Sequence, residues 1–417
     1  MIAGIRVRVG LRLLAWLWAG LTVASISACA TDPIAFDADD STDRILVMLP
    51  LPAPHFRADS GYASSYDDAL GRSARRRVVL RLARSHRLEL LGDWPMPLLG
   101  VHCYVLRLPA EATAAPLLQS LGDEPAVAWV QPMNVYRAQG DLAAAAGLAS
   151  GWRLADLHQL ATGRGVSVAV IDSGVDASHP ALADQVSAHE NFVQGRPDAA
   201  ERHGTAVAGL IAARADPLSG ILGVAPRARI MALRACWQAT SGATLCNSLG
   251  LALALQFAVM HQAQVINMSL SGPRDPLLER LLDAGLAHGS AVVAAVDRSA
   301  DDGGFPASHP GVIAVANDGP GTSLPPHTLR APGRDLLTTA PGTGWLLVSG
   351  SSFAAAQVSG LMALLGELHG SRPPLGDGKA LVQRPADGVD ACATLMRFTG
   401  SCACSCTTGS TALPRLR

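Results

Sequence analysis

A run of small and β-branched residues from Val166 to Ile171 ends in Asp172. A short apolar run of this kind reads as a strand buried on both faces, and such strands belong to parallel sheets covered by helices. Its C-terminal tip presents a carboxylate, and in open α/β sheets reactive groups collect at those tips. Two further segments fit the same architecture. His203-Gly204-Thr205-Ala206-Val207-Ala208-Gly209 opens a helix whose Ala206, Ala208, Gly209 and Ala212 permit close packing on a sheet. Ser349-Gly350-Ser351-Ser352-Phe353-Ala354-Ala355-Ala356 sets Ser352 at a helix start, ahead of a helical run from Val358 to Leu368. The expected fold class is therefore α/β, with a mainly parallel central sheet flanked by helices.

The three segments supply an Asp, a His and a Ser in that order. A serine hydroxyl is a poor nucleophile at neutral pH. A histidine must take its proton, and a buried carboxylate must hold that histidine's tautomer and orientation. Ser352 is the candidate nucleophile, His203 the candidate general base and acid, and Asp172 the group that orients it. A helix N-terminus beside Ser352 also offers backbone N–H groups to a developing oxyanion. Taken singly, each residue has a plain structural reading: Asp172 a strand-end cap, His203 a surface residue, Ser352 an N-cap. The order and spacing of the three weigh against that reading.

With these segments, and over about residues 150 to 370, the chain resembles the subtilisin-like serine proteases, the subtilases, whose triad runs in the order Asp, His, Ser. The likeness extends to Asp172-Ser173-Gly174-Val175-Asp176 with His179-Pro180, to Ile221-Leu222-Gly223-Val224-Ala225-Pro226, to Val265-Ile266-Asn267-Met268-Ser269-Leu270-Ser271-Gly272, and to Phe305-Pro306-Ala307 followed by Gly311-Val312-Ile313-Ala314-Val315. The resemblance implies a serine endopeptidase that hydrolyses polypeptide substrates through an acyl-enzyme. It also implies that Ser269, Leu270, Ser271 and Gly272 bind the extended substrate by main-chain hydrogen bonds, which is β-augmentation. Ser271 replaces the glycine usual there.

The chain departs from the family pattern at the oxyanion donor. Subtilases carry Ala-Ala-Gly-Asn at a strand end, and the Asn amide hydrogen-bonds the oxyanion. Here Ala291-Val292-Val293-Ala294-Ala295-Val296 runs into Asp297-Arg298. An ungapped match puts Arg298 at the Asn position, and a one-residue deletion puts Asp297 there. An ionised Asp cannot donate a hydrogen bond, whereas an Arg supplies donors and charge. The alternative function this opens is a catalytically weak or silent binding protein on the same fold. Phe353 replaces a Met and Ala356 a Pro after the nucleophile. Ala181 stands where many calcium-binding relatives have an Asp, so no metal and no cofactor is expected.

The N-terminus reads as a targeting segment. Arg6, Arg8 and Arg12 precede an apolar run from Leu13 to Ile26, the pattern of a secretory signal peptide. Ile26-Ser27-Ala28-Cys29 resembles a bacterial lipobox, in which Cys29 is acylated. The resulting expectation is export from a bacterial cell and a lipid anchor in a membrane, facing periplasm or exterior, or secretion if the segment is cut as an ordinary signal. The expected organisation is a signal peptide at 1–28, a linker at 29–43, an α+β unit at 44–138, a linker at 139–150, the catalytic domain at 151–370 and a low-order cysteine-containing tail at 371–417.

The 44–138 unit reads as strand (44–50), helix (69–88), strand (101–108), helix (112–121) and strand (126–135). Arg72, Arg75, Arg76 and Arg77 are placed on the solvent face of the first helix. The order resembles the inhibitory propeptide of the subtilases, which would make the chain's own propeptide a partner and place self-cleavage in the Ala-rich stretch 141–150. Cysteine usage fits an oxidising compartment: Cys236 and Cys246 flank a short loop and are a candidate disulfide, and Cys103 stands alone on a strand. Cys392, Cys402, Cys404 and Cys406 lack the spacing of a zinc site. With 33 basic against 34 acidic residues, and no basic stripe with interleaved aromatics, nucleic acid is not an expected partner.

Overall fold

A computed structural model describes residues 43–51, 68–110, 114–142, 152–215, 220–318, 324–370, 378–384 and 388–400. The signal peptide, Cys29, the stretch 143–150 and the cysteines at 402, 404 and 406 lie outside the described residues.

The N-terminal unit comprises β1 (Arg44–Pro50), α1 (Asp68–Ser85), β2 (Glu89–Met96), β3 (Val101–Arg107), α2 (Ala114–Gly122) and β4 (Trp129–Pro132). The strands form one antiparallel sheet in the order β2-β3-β1-β4. Six consecutive residues of β1 are buried because the sheet is covered on both faces. Ile45, Val47, Tyr104 and Leu106 point to Val79, Leu82 and Leu121 of the two helices. Leu46, Met48, Cys103 and Val105 point instead into the core of the rest of the molecule. Strand alternation alone divides the two sets.

Two details of this unit differ from the sequence reading. The stretch 126–135 breaks at Pro132, which has no N–H to continue a ladder, and a separate strand follows, β5 (Val135–Ala138). Arg75 is buried rather than on solvent, beside Tyr104, whose hydroxyl burial pushes up to about 12. The strand β2 carried no clear sequence signal: Gly92 and Pro95 interrupt it, and it bulges between Leu90 and Gly92.

Next come β6 (Asp141–Leu142), α3 (Leu154–Leu157), β7 (Ser167–Asp172), β8 (Val186–Asn191), α4 (Arg202–Ala212), β9 (Arg229–Arg234), β10 (Cys236–Gln238), β11 (Thr244–Asn247), α5 (Ser248–Met260), β12 (Val265–Met268), β13 (Leu270–Ser271), α6 (Pro276–Ala287), β14 (Ala291–Ala295), β15 (Ile313–Asn317), β16 (Leu329–Ala331), β17 (Leu336–Ala340), β18 (Gly344–Ser349) and α7 (Ser351–His369). The central sheet has seven strands in the order β16-β15-β14-β12-β7-β9-β8, and all its pairings are parallel. One face packs on α4 and α7, the other on α5 and α6. The central helix α7 is buried from Ser351 to Gly366. Gly360 is needed there, since a Cβ would lie 2.5 Å from Val224.

The N-terminal unit docks where α5 and α6 begin. Asp275 caps α6 by accepting Leu277 N and Leu278 N. Its carboxylate also takes Gln131 Nε2 at 2.7 Å, Asn134 Nδ2 at 3.1 Å and Ser248 Oγ at 2.6 Å. The stretch after residue 370, expected to carry little order, contains β19 (Gln383–Arg384), β20 (Gly388–Val389) and α8 (Ala391–Thr399). Leu381, Val389, Ala391 and Leu395 complete the core beneath α7, and Trp152 Nε1 donates to Val389 O. Its few apolar residues are enough because each is aimed at a preformed face.

Candidate active site

The strand β7 ends at Asp172 because the chain turns there under the start of α4. Gly174 and Gly204 make the approach possible: a Cβ on Gly174 would lie 1.6 Å from Ala199 O, and one on Gly204 2.0 Å from Ser173 O. Gly204 N donates to Ser173 Oγ and Asp176 N to Thr205 Oγ1. This lock sets His203 Nδ1 2.7 Å from Asp172 Oδ1. Asp172 also accepts Ser173 N, and both side chains are buried. An ionised carboxylate only accepts, so Nδ1 carries the proton and Nε2 keeps its lone pair. Nε2 is buried and makes no hydrogen bond. The Phe353 ring lies 5.3 Å from the imidazole, centroid to centroid.

Ser352 enters at the N-terminus of α7, after Gly350 at φ 143°. It is fully buried, because the chain's own segment 135–142 runs across it. The strand β5 lies between β13 and β11 and pairs antiparallel with both: Leu270 opposite Ala138, Ser271 opposite Arg137, and Cys246 opposite Tyr136. Beyond the gap β6 pairs with β18, Asp141 opposite Ser349. Between the two strands Gln139 crosses the serine. Its N–H points to Ser352 Oγ at 2.9 Å and Ser269 O at 3.4 Å, and its carbonyl accepts Ser352 N–H at 2.9 Å. The Ser352 hydroxyl donates to Ser269 O at 2.8 Å rather than to His203. Tyr136 fills a pocket by Gly272 and Phe305, its hydroxyl on Pro273 O at 3.1 Å.

Of the residues singled out in the sequence, Asp172 and His203 are hydrogen-bonded, and His203 lies against Phe353, the residue after Ser352. The Ser352 hydroxyl rests on Ser269, the first residue of the edge that continues through Leu270, Ser271 and Gly272. Ser269 Oγ donates to Ser352 O and Gly272 bridges to Phe305. The disulfide Cys236–Cys246 joins β10 to β11, the hairpin on the other side of β5. Cys103 is a buried free thiol, and Cys392 is disulfide-bonded. Ala181 packs with Ala213 and Ile221, and its carbonyl accepts Arg214 N–H at 2.9 Å.

Asp297 and Arg298 make other contacts. Asp297 Oδ1 accepts Ser299 N–H and hydroxyl, and Arg298 Nη1 donates to Asn317 Oδ1 at 3.0 Å. Burial, then the nearby Arg330, lowers the Arg298 guanidinium below its usual range. Among the described residues, Ser352 N–H is the donor on the Gln139 carbonyl. Sequence reasoning missed Gln139 and the seat of Tyr136: nothing in the composition of 135–140 marks it, and only the strand pairing does.

A serine at a helix start, an imidazole with a free nitrogen and a carboxylate behind it are the parts of a nucleophilic hydrolase. The comparisons with known proteins name the group. The family model described as "Subtilase family" matches residues 163–384, and the chain belongs to that family. The major intracellular serine protease of Bacillus subtilis is 33% identical over 49% of this chain and 69% of its own. A thermophilic serine proteinase of Bacillus sp. is 34% identical over 56% of this chain, which spans 59% of that protein's length. The crystal structure of fervidolysin from Fervidobacterium pennivorans, a keratinolytic enzyme related to subtilisin, superposes with a TM-score of 0.62 at 22% identity, covering 81% of this chain and 57% of that one. Among the described residues no helix is long and apolar enough to cross a membrane.

Proposed function

We propose that the chain is an exported serine endopeptidase made as a precursor that cleaves itself between Gln139 and Gly140. The observation that carries this is the path of 135–142 across Ser352, with Gln139 N–H on Ser352 Oγ and the Gln139 carbonyl on Ser352 N–H. That path is the one a polypeptide substrate takes under β-augmentation. In the reaction the Ser352 hydroxyl turns from Ser269 O to His203 Nε2 and passes its proton there. Oγ adds to the Gln139 carbonyl, and the imidazolium held by Asp172 returns the proton to Gly140 N as the C–N bond breaks. Residues up to Gln139 are left as an acyl group on Ser352, which water releases by the same base. Cleavage thus falls just ahead of the 141–150 stretch favoured on composition. The unit that ends at Gln139 then stays bound as the chain's own inhibitor, with 135–139 in the cleft, held by the β5 pairings and Asp275. Cys29 acylation would anchor the precursor to a membrane.

The second reading is a slow or silent protein, since Arg298 is turned to Asn317. Removing the one side-chain oxyanion donor in subtilisin slows turnover by about 10²–10³-fold, which leaves a working enzyme. The test is Ser352→Ala. Wild-type chain is expected to yield a new N-terminus at Gly140 and to react with a fluorophosphonate probe, and the variant to do neither. Identical processing of both overturns self-cleavage, and an inert wild type establishes the binding-protein reading.

A further inference from the structure

The reaction as proposed uses neither Glu201, two residues ahead of His203, nor Arg234, the last residue of β9. Both are buried, with 10% and 3% of their side chains exposed. The guanidinium meets the carboxylate twice, Nε to Oε2 at 3.0 Å and Nη2 to Oε1 at 3.1 Å. Its Nη1 donates to Asn191 Oδ1 and Pro197 O. The carboxylate further accepts Gly174 N at 2.7 Å and Gln238 N at 2.9 Å. Glu201 N donates to Gly174 O, and Glu201 O accepts Thr205 N.

A buried ion pair is weak as a stabilising device, because apolar residues of similar volume often serve as well. What this pair joins is more telling. Gly174 is two residues past Asp172, Arg234 is the register partner of Asp172, and Ala235 N donates to Asp172 O. Gln238 belongs to the hairpin that, with His203, lines a cavity of about 420 Å³. One carboxylate therefore ties the Asp172 turn, the start of the His203 helix and the hairpin beside the substrate strand.

We infer that Glu201 and Arg234 are positioning residues for the His203–Asp172 pair. They fix the carboxylate–imidazole hydrogen bond, and as a neutral pair they leave no net charge beside the imidazolium that forms in the reaction. This rests on the reading in which His203 takes the Ser352 proton. The charged groups around His203 are Asp172 on β7, Glu201 and Arg202 at its own helix start, Arg234 on β9 and Arg137 on β5. The helix α7 faces it with Phe353, and β17 touches its helix through Thr338 and Thr339.

The test is the first-order rate of self-processing against pH in the full chain. Glu201→Gln leaves Arg234 uncompensated and shifts the acid limb to lower pH, by about 0.5–1 unit for a charge at this range. Arg234→Met leaves Glu201 uncompensated and shifts the limb the opposite way by a similar amount. Arg234→Lys keeps the charge, hence the limb, but loses about tenfold in rate for want of the fork. The double variant Glu201→Gln, Arg234→Met removes both charges. Its limb returns to the wild-type position while its rate stays low, and it decides the matter if a single variant does not fold. Limbs that stay put or move together, or a double variant at full rate, overturn the inference. Should the wild type not process at all, the reaction reading fails by itself. The His203 ring titration by NMR in the Ser352→Ala chain then decides the electrostatic claim, with the same opposed shifts expected and their absence refuting it.

Discussion

Tyr136 is the side chain that holds the substrate-like strand, and its removal tests whether residues 135–139 occupy the cleft as described. It is fully buried, with its ring against Gly272 and Phe305 and its hydroxyl on Pro273 O. An aromatic side chain buries about 150–250 Å², worth roughly 4–6 kcal/mol at about 25 cal/mol per Å² as an upper bound. Truncating buried aromatics to Ala destabilises by about 3–5 kcal/mol. In the Ser352→Ala background, which lacks the proposed nucleophile, Tyr136→Ala should lower the free energy of opening β5 by about that amount. Amide exchange in the 135–139 peptide should then accelerate by roughly 10²–10⁴-fold. Tyr136→Phe loses only the hydroxyl bond, about 0.5–1.5 kcal/mol, and should accelerate exchange tenfold or less. Equal exchange in Tyr136→Ala and the parent would refute the seating of the strand, and with it the cleavage at Gln139.

Other outcomes follow from individual contacts. Arg298→Ala should leave self-processing within a few-fold, because the guanidinium is engaged with Asn317; a loss beyond about 10²-fold would identify Arg298 as an oxyanion donor. Burial pushes the Glu367 carboxyl up, but the N–H groups of Thr162, Arg164 and Gly163 outweigh it and leave the group below its usual range. Its folded value is depressed, so its stabilisation is present above the unfolded value of about 4.3 and is lost as pH falls through the folded one. Glu367→Gln should therefore lower stability by about 1–2 kcal/mol at neutral pH, with the gap closing in acid, as urea titrations at several pH values would read. Replacing Cys236 and Cys246 together by Ala should lower stability by about 2–3 kcal/mol and loosen the hairpin against β5, seen as faster release of the cleaved N-terminal unit. Gly350→Ala should disturb the bound segment most directly, since a Cβ would sit 2.5 Å from the Gly140 Cα; an unchanged processing rate would contradict that contact.

Much of this was open to sequence reasoning because it depends on local pattern. The apolar run into Asp172 requires a buried strand, the small residues after His203 and Ser352 require helices pressed on a sheet, and their order names a family. Those features are short-range, and each carries its own signal. The tail beneath α7 shows the opposite. Leu381, Val389 and Leu395 have no periodicity to speak of, yet they close the core. The same holds for β2, whose Gly92 and Pro95 deny it a strand pattern, and for Arg75, buried by a tyrosine two strands away in sequence.

The sequence by itself determined the class of fold and singled out Asp172, His203, Ser352 and the strand from Ser269 to Gly272 as candidates, because these rest on residue type and spacing. The tertiary structure decided that the segment 135–142 crosses Ser352, that Arg298 turns to Asn317, and that Glu201 joins Arg234 to Gly174 and Gln238. Each of those depends on contacts between residues well apart in the chain, Arg298 with Asn317 at 19, Glu201 with Arg234 at 33 and Gln139 with Ser352 at 213. Hydrogen bonds across such distances in the chain leave no local imprint on composition, so only the folded arrangement brings them together.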